Sequence, residues 1–218
     1  MDKNNCLECD NGFFSLAGNE KCIPCPIGTF EDGTHLKCNH CVSGHYNDII
    51  GQTICKKCPA GTENGNIKSI NIDSCIKCVP GFYSYEGYNK CLQCPPGTYT
   101  NLYGTRDCLK TIPGTYTSEP GSINPINCAP GSYSDVYGAT NCTLCKPGYI
   151  NTQYGLTSIN DCIPCSVGTY INVSGSTMCY NVPKGTYQDN EGQNTTIPCP
   201  IGTSNNNTGS YDKSFCEL

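Results

Sequence analysis

Cysteine recurs along this chain at nearly constant spacing, and this repeat constrains the fold more than any other feature. Eight CxxC pairs occur, and single cysteines continue the spacing where a pair is incomplete. Taking the second cysteine of each pair, or its equivalent position, as a repeat start gives twelve units spaced 16 to 20 residues apart. Internal repeats of this kind indicate an array in which each unit contacts its neighbours. We predict one continuous array over residues 1–218, with units starting near 9, 25, 41, 58, 78, 94, 111, 128, 145, 165, 182 and 199.

Each repeat has turn-forming residues at the same positions. A glycine lies three residues after every start, often preceded by proline, as in Cys94-Pro95-Pro96-Gly97. Such a step predicts a tight turn in which glycine takes a positive φ. An aromatic usually follows two residues later, and a second glycine usually lies four residues before the closing cysteine. Helical periodicity is absent, so each unit is predicted to be a small two-stranded hairpin. About twelve hairpins at ~10 Å each would form an elongated rod approaching ~120 Å.

The composition explains why such a chain needs cross-links. Leu, Ile, Val and Phe make up only 38 of 218 residues, whereas the chain has 21 Cys and 15 Tyr. So little apolar material cannot build one large core, and so many cysteines indicate an oxidising compartment. We therefore predict a disulfide-rich, mostly β or irregular protein without helices of note, extracellular or at the cell surface after passage through the secretory pathway. The N-terminus lacks the apolar run of a signal peptide, so the sequence is expected to be a mature piece or a segment.

The missing cysteines indicate the disulfide pairing. Thr111 stands where the second cysteine of a pair belongs and Pro125 where the next first cysteine belongs; Val182 and Thr196 repeat this relation. If these two positions are normally bonded to each other, losing both removes one bridge and leaves no cysteine unpaired. The predicted bridges are Cys9–Cys22, Cys25–Cys38, Cys41–Cys55, Cys58–Cys75, Cys78–Cys91, Cys94–Cys108, Cys128–Cys142, Cys145–Cys162, Cys165–Cys179 and Cys199–Cys216. Cys6 alone stays unpaired within the chain, and we expect it to bond upstream sequence or another chain.

Structural zinc is the main rival interpretation of repeated CxxC pairs. Zinc needs four ligands, so the paired losses would leave half-sites, and only three histidines are available, all in one stretch. A redox-active CxxC is also disfavoured, because eight similar motifs in a row indicate a scaffold. We therefore predict no metal site and no cofactor.

Three repeats differ from the others in loop length. The loops 58–75, 145–162 and 199–216 span 17 positions instead of 13 or 14, and the same repeats lack the aromatic. Two interpretations stay open: a tolerated insertion, or a change in the bend or twist of the array.

The charge and the motifs of the chain limit its partners and its function. A net charge of −5 with 13 Lys and Arg disfavours nucleic acid, and no apolar stretch could span a membrane. No catalytic arrangement is visible, so no enzyme is predicted. Candidate N-glycosylation sites all lie after residue 140, at Asn141, Asn172, Asn194 and Asn206.

The segment Cys91–Cys108, CLQCPPGTYTNLYGTRDC, resembles the ephrin-receptor-like cysteine-rich repeat, and the resemblance extends along the whole chain. It is more distantly similar to tumour-necrosis-factor-receptor modules, and the array as a whole resembles surface proteins of ciliates and other protists. The resemblance implies an extracellular array of stacked β units that serves as stalk, spacer or binding ectodomain.

Two function classes remain. The first is a structural protein, meaning a stalk, surface coat or filament component that contacts other copies of itself or other extracellular proteins. The second is a receptor or adhesion ectodomain that binds a protein or glycan. Regularity along the array favours the first, since a recognition site should disturb the pattern locally. The apolar pair Ile49-Ile50, which lies outside the repeat consensus, is the only mild candidate for such a site.

Overall fold

Short antiparallel hairpins make up the chain in a computed structural model that describes residues 8–218. Within these residues, eleven hairpins each pair two consecutive strands, and no α-helix is present. The predicted fold class of small, disulfide-rich β units is thereby confirmed. The strands are β1 Phe13–Phe14, β2 Ile23–Pro24, β3 Thr29–Glu31, β4 Cys38–His40, β5 His45–Tyr46, β6 Lys56–Lys57, β7 Thr62–Glu63, β8 Ile76–Lys77, β9 Phe82–Tyr83, β10 Leu92–Gln93, β11 Thr98–Tyr99, β12 Leu109–Lys110, β13 Thr115–Tyr116, β14 Ile126–Asn127, β15 Ser132–Tyr133, β16 Thr143–Leu144, β17 Tyr149–Ile150, β18 Ile163–Pro164, β19 Thr169–Tyr170, β20 Tyr180–Asn181, β21 Thr186–Tyr187 and β22 Ile197–Pro198.

We name each repeat by its first residue and number positions from it, so that Gly97 is position +3 of repeat 94. The +3 glycines all have a positive φ, between 75° and 87°, as the turn chemistry predicted. They bring positions +4 and +5 into the first strand of each hairpin. In repeat 182, for example, Thr186 pairs with Pro198 and Tyr187 with Ile197.

The three long loops hold their extra residues in a single 3-10 turn before the closing cysteine. These turns are Ile72–Ser74, Ile159–Asp161 and Lys213–Phe215. Two of them begin with a capping side chain: Ser158 forms a capping box with Asp161, and the Asp212 carboxylate accepts from the Ser214 N–H at 2.7 Å. The insertion is therefore a locally satisfied turn. In repeat 199, a bridge between Ser204 and Glu217 takes the place of a hairpin.

Contacts divide the chain into two compact units that alternate along the sequence. The first comprises Met1–Cys94, Thr100–Leu109 and Gly121–Ile123; the second comprises Pro95–Tyr99, Lys110–Pro120 and Asn124–Leu218. The same contacts between repeats recur inside each unit. The single continuous array over 1–218 stays a prediction.

Backbone hydrogen bonds join each repeat to the next. In the first unit, the Gly44 N–H donates to the Asn64 carbonyl at 2.7 Å, and the Gly44 carbonyl accepts from the Cys58 N–H at 2.8 Å. In the second unit, Gly131 makes the equivalent bonds with Asn151 and Cys145, at 2.9 and 2.8 Å. These bonds use backbone groups alone, so they tolerate varied side chains.

Glycine is required where three consecutive repeats meet. The second glycine of a repeat donates its N–H to the first residue of the preceding repeat, as Gly87 does to the Cys58 carbonyl at 2.9 Å. The same glycine lies against the +3 glycine two repeats back, where a Cβ on Gly44 would overlap the Gly87 carbonyl. Any side chain at that +3 position would push the repeats apart.

One repeat aromatic packs on the disulfide of the next repeat. Tyr133 is buried against Cys145 and Cys162, with Tyr149 and Leu156 at the edge of the cluster. Buried cysteines and such aromatics form most of the apolar core within residues 8–218. The apolar core is therefore distributed as small clusters.

Candidate functional site

A buried polar side chain at position +6 lies between consecutive repeats, and the sequence reasoning missed it. Eleven repeats bury this position to 4% exposure or less. Ten of these side chains are polar, although such residues are more typical of surfaces and turns. The residues are Glu31, Asn47, Asn64, Ser84, Thr100, Thr117, Ser134, Asn151, Ile171, Gln188 and Asn205.

Six of the +6 side chains donate a hydrogen bond to the preceding repeat. The Asn47 Nδ2 donates to the Thr29 carbonyl at 2.9 Å, and the Asn64 Nδ2 donates to the His45 carbonyl at 3.1 Å. Asn205 makes the same bond to Thr186 at 3.1 Å in the second unit. In each case the acceptor is position +4 of the preceding repeat. Because a buried polar group is costly without its partner, these bonds fix the register of one repeat on the next.

Glu31 is the ionisable member of this series, and its carboxylate is fully enclosed by hydrogen-bond donors. It accepts from the backbone N–H of Gly33 at 2.7 Å, His35 at 2.8 Å and Gly12 at 3.5 Å. The His35 Nδ1 lies 3.6 Å from the carboxylate. The backbone N–H of His35 is the largest influence holding the pKa of Glu31 below its usual value, while burial acts in the opposite direction.

We predict an acid-dependent stability from Glu31. A carboxylate with a depressed folded pKa stabilises the protein above its unfolded pKa, and this contribution is lost as the pH falls through the folded pKa. The variant Glu31→Gln should therefore unfold more easily than wild type at pH 7, and the difference should shrink below about pH 4.3. Gln188 occupies the same position in repeat 182, so glutamine fits there. Thermal unfolding from pH 7 to pH 2 measures the difference; a constant difference would contradict the assignment.

Position +4 also follows a rule, and three of its four exceptions line clefts. A Thr or Ser there usually donates its hydroxyl to the carbonyl at +1, as Thr98 does to Pro95 at 2.7 Å. A ring replaces it at Phe13, His45, Phe82 and Tyr149. Phe13, His45 and Tyr149 each line a cleft, and each also lies near the second glycine two repeats further on.

The Tyr149 cleft combines aromatic, apolar and cationic side chains. It has a volume of about 510 Å³ and includes Tyr133, Leu144 and Ile159. The Lys146 Nζ lies 4.5 Å from the centre of the Tyr149 ring, within the range of a cation–π contact. The repeat pattern is thus disturbed locally in the manner expected of a recognition site. Ile49 and Ile50, noted in the sequence, are exposed at a different turn.

The structure brings the predicted cysteine partners together. In all ten pairs the Cα atoms lie 5.5 to 5.8 Å apart, a separation that a disulfide spans. The pairing stays a prediction. Thr111 and Val182, which replace cysteines, are completely buried. Cys6 lies outside the described residues.

Peptide mapping without reductant tests this pairing chemically. We expect ten linked peptide pairs, each joining a repeat's first cysteine to the cysteine 13 to 17 positions later. Reduced and alkylated protein provides the control digest. A bridge that skips a repeat, or Cys6 bonded to Cys9, would contradict the pairing.

The candidate glycosylation sites are accessible. Asn141, Asn172, Asn194 and Asn206 are all exposed and lie outside strands. Among residues 8–218, no group of three or more His, Cys, Asp or Glu side chains is placed to hold a metal ion. Nor does this part of the chain contain a helix long and apolar enough to cross a membrane.

Comparison with known proteins finds a matching family and several relatives for these repeats. The family model described as "Tyrosine-protein kinase ephrin type A/B receptor-like" matches residues 28–75, 81–128 and 168–216. The chain is 41% identical over 64 residues to the rat "Sushi, von Willebrand factor type A, EGF and pentraxin domain-containing protein 1", which is 29% of this chain and 2% of that protein.

Two further relatives come from distant organisms. "Cysteine repeat modular protein A" of Toxoplasma gondii is 32% identical over 56 residues, covering 26% of this chain and 2% of that protein. The human "Signal peptide, CUB and EGF-like domain-containing protein 3" is 38% identical over 50 residues, covering 22% of this chain and 5% of that protein. The aligned segments thus span only a small part of these relatives.

Proposed function

Since the chain belongs to the family of ephrin type A/B receptor-like cysteine-rich repeats, we propose that it is an extracellular structural protein, acting as stalk, surface coat or filament component. The observation that carries this proposal is the buried position +6, which is polar in ten of eleven repeats and donates from its side chain to the preceding repeat in six of them. Such a layer maintains a regular stack and contributes no reactive group. We assign the protein no catalytic role.

The chemistry of the chain supports an extracellular location. Ten disulfides are stable only where the environment is oxidising. The human relative carries "Signal peptide" in its name, which is consistent with the secretory pathway for proteins of this kind. Four exposed sequons would carry N-linked glycans on that route.

Electron microscopy of native cells tests the structural role. Gold-labelled antibody against this chain should bind intact, unpermeabilised cells and mark a continuous coat or filament. Cells lacking the gene provide the control for antibody specificity. Label confined to permeabilised cells would contradict the location, and sparse isolated label would favour a receptor.

A recognition ectodomain is the second candidate, and the Tyr149 cleft favours it. A ring replaces the usual +4 threonine there, and Lys146 adds a cation beside apolar walls. Glycan-array and protein-array binding by wild type and by Tyr149→Thr, which restores the consensus residue, tests this role. Binding that the substitution removes would support it, whereas equal binding would contradict a role for this cleft.

A further inference from the structure

A small apolar cleft lies where repeats 25 and 41 meet. Phe30, Val42, His45 and Ile54 line it beside Cys55, and its volume is about 240 Å³. Val42 is 60% exposed and Ile54 is 73% exposed, so the walls are open to solvent. Small-molecule sites are usually about 300–1,000 Å³, so this cleft is better suited to one inserted side chain.

One rim of the cleft is basic. Lys57 pairs with His45 across the β5–β6 hairpin, and both side chains approach Gly87. Lys56 is bound to Asp48 at 2.6 Å, but Lys57 has no ion-pair partner within residues 8–218. Over residues 30–58, which contain every lining residue, Lys37, Lys56 and Lys57 are balanced by Glu31, Asp32 and Asp48. Glu31 is buried and Asp48 is bound to Lys56, which leaves Lys57 as the unpaired cation at this rim among the described residues. Glu86, directly before Gly87, is exposed and forms no ion pair with Lys57.

The chain also carries an exposed segment of complementary chemistry. Val136 and Tyr137, 55% and 69% exposed, form the turn before Gly138. Asp135 precedes them, is exposed and has no ion-pair partner in the described part of the chain. Tyr103 and Tyr154 are similarly exposed before a glycine, but neither turn carries a carboxylate directly before its two-residue tip.

We propose that the 30/42/45/54 cleft of one copy receives the Asp135-Val136-Tyr137 turn of a second copy. Tyr137 would enter the apolar cleft, which removes apolar surface of both partners from water, while Asp135 would lie near Lys57. The contact joins two different surfaces, so a pair of copies keeps one cleft and one turn available, and association can continue from copy to copy. The inference rests on the proposed structural function and names its partner as the protein itself.

Sedimentation of the full chain tests the contact. The chain should be produced with its disulfides in an oxidising host that adds no N-glycans, which leaves Asn141 unmodified beside the turn. Such a small contact predicts association in about the micromolar-to-millimolar range. Tyr137→Ala should raise the dissociation constant at least tenfold. Tyr154→Ala, which removes an equally exposed tyrosine before a glycine, should leave the constant unchanged.

A charge exchange makes the test specific. Lys57→Glu and Asp135→Lys should each weaken self-association, and an equimolar mixture of the two variants should restore it, since both contacts between unlike variants again join opposite charges. Wild-type protein that stays monomeric to 1 mM would overturn the proposal. Equal effects of Tyr137→Ala and Tyr154→Ala would also overturn it. The same holds for a mixture that associates no more strongly than either charge variant alone. The coat or filament labelling on cells is measured independently, so loss of this contact and loss of the structural function are distinguishable.

Discussion

Replacing Gly97 by alanine is expected to destabilise the second unit by roughly 3–5 kcal/mol, a large effect for one methyl group. A Cβ at Gly97 would overlap the carbonyl of Gly138, two repeats further on. The repeats would have to separate, which would weaken the bonds from the Gly97 N–H to Thr117 and from the Gly138 N–H to Thr111, both 2.8 Å. Denaturant unfolding with intact disulfides measures the loss, and hydrogen exchange at these amides locates it.

Gly185 provides a matched control. It occupies the same +3 position with φ of 79°, against 82° at Gly97. Its N–H donates to the Asn205 carbonyl at 2.8 Å and its carbonyl accepts from the Cys199 N–H at 2.9 Å, as Gly97 does with Thr117 and Thr111. No atom lies within 4 Å of a Cβ added there. Gly185→Ala should therefore cost only the backbone strain of a positive φ, about 1–2 kcal/mol. Equal losses for the two variants would show that strain, and not contact between repeats, explains the glycine.

The double variant Thr111→Cys/Pro125→Cys should form a new disulfide and stabilise its repeat by about 3 kcal/mol in the chain-entropy model. The two positions are 14 residues apart, the separation found for Cys94–Cys108. The hairpin around them keeps the standard register, with Thr115 paired to Asn127 and Tyr116 to Ile126. The backbone is therefore already arranged as in the bridged repeats.

Intact mass and unfolding measurements test this variant. Its mass should be 2 Da below that of the dithiol form, as expected for loss of two hydrogens on forming one bridge. Thr111→Cys alone should show a free thiol and no gain in stability. Before the bridge is added, hydrogen exchange should be faster in repeats 111 and 182 than in their bridged neighbours. Two free thiols in the double variant would contradict the inferred geometry.

The hairpins could be predicted because their determinants are local and repeated. A glycine at +3 recurs twelve times and a cysteine at the start ten times, and each recurrence supports the same turn and strand assignment. The cysteine partners could be proposed because two losses occurred in neighbouring positions, Thr111 with Pro125 and Val182 with Thr196. The repeats thus supplied evidence on cysteine pairing that the sequence of a single unrepeated domain would not contain.

The contacts between repeats could not be predicted in the same way. Asn, Ser and Thr at +6 are ordinary turn residues, and only the stacking of the next repeat buries them. A signal was present, since position +6 is polar in every repeat except 165, where Ile171 occupies it. The clefts depend on where Tyr149 or His45 meets a glycine two repeats away, which is a property of the folded stack.

The sequential bridges have a mechanical consequence. Under tension along the chain, each disulfide carries the load directly from the first to the closing cysteine of its repeat, so the 13 to 17 positions between them cannot lengthen. Repeats 111 and 182 have no disulfide to carry the load. Unfolding of each one can therefore release about 14 residues, which is about 50 Å of extended chain. The protein would thus behave as a tether of nearly fixed length in which two repeats unfold under load. Their unfolding would absorb a sudden pull without breaking a covalent bond.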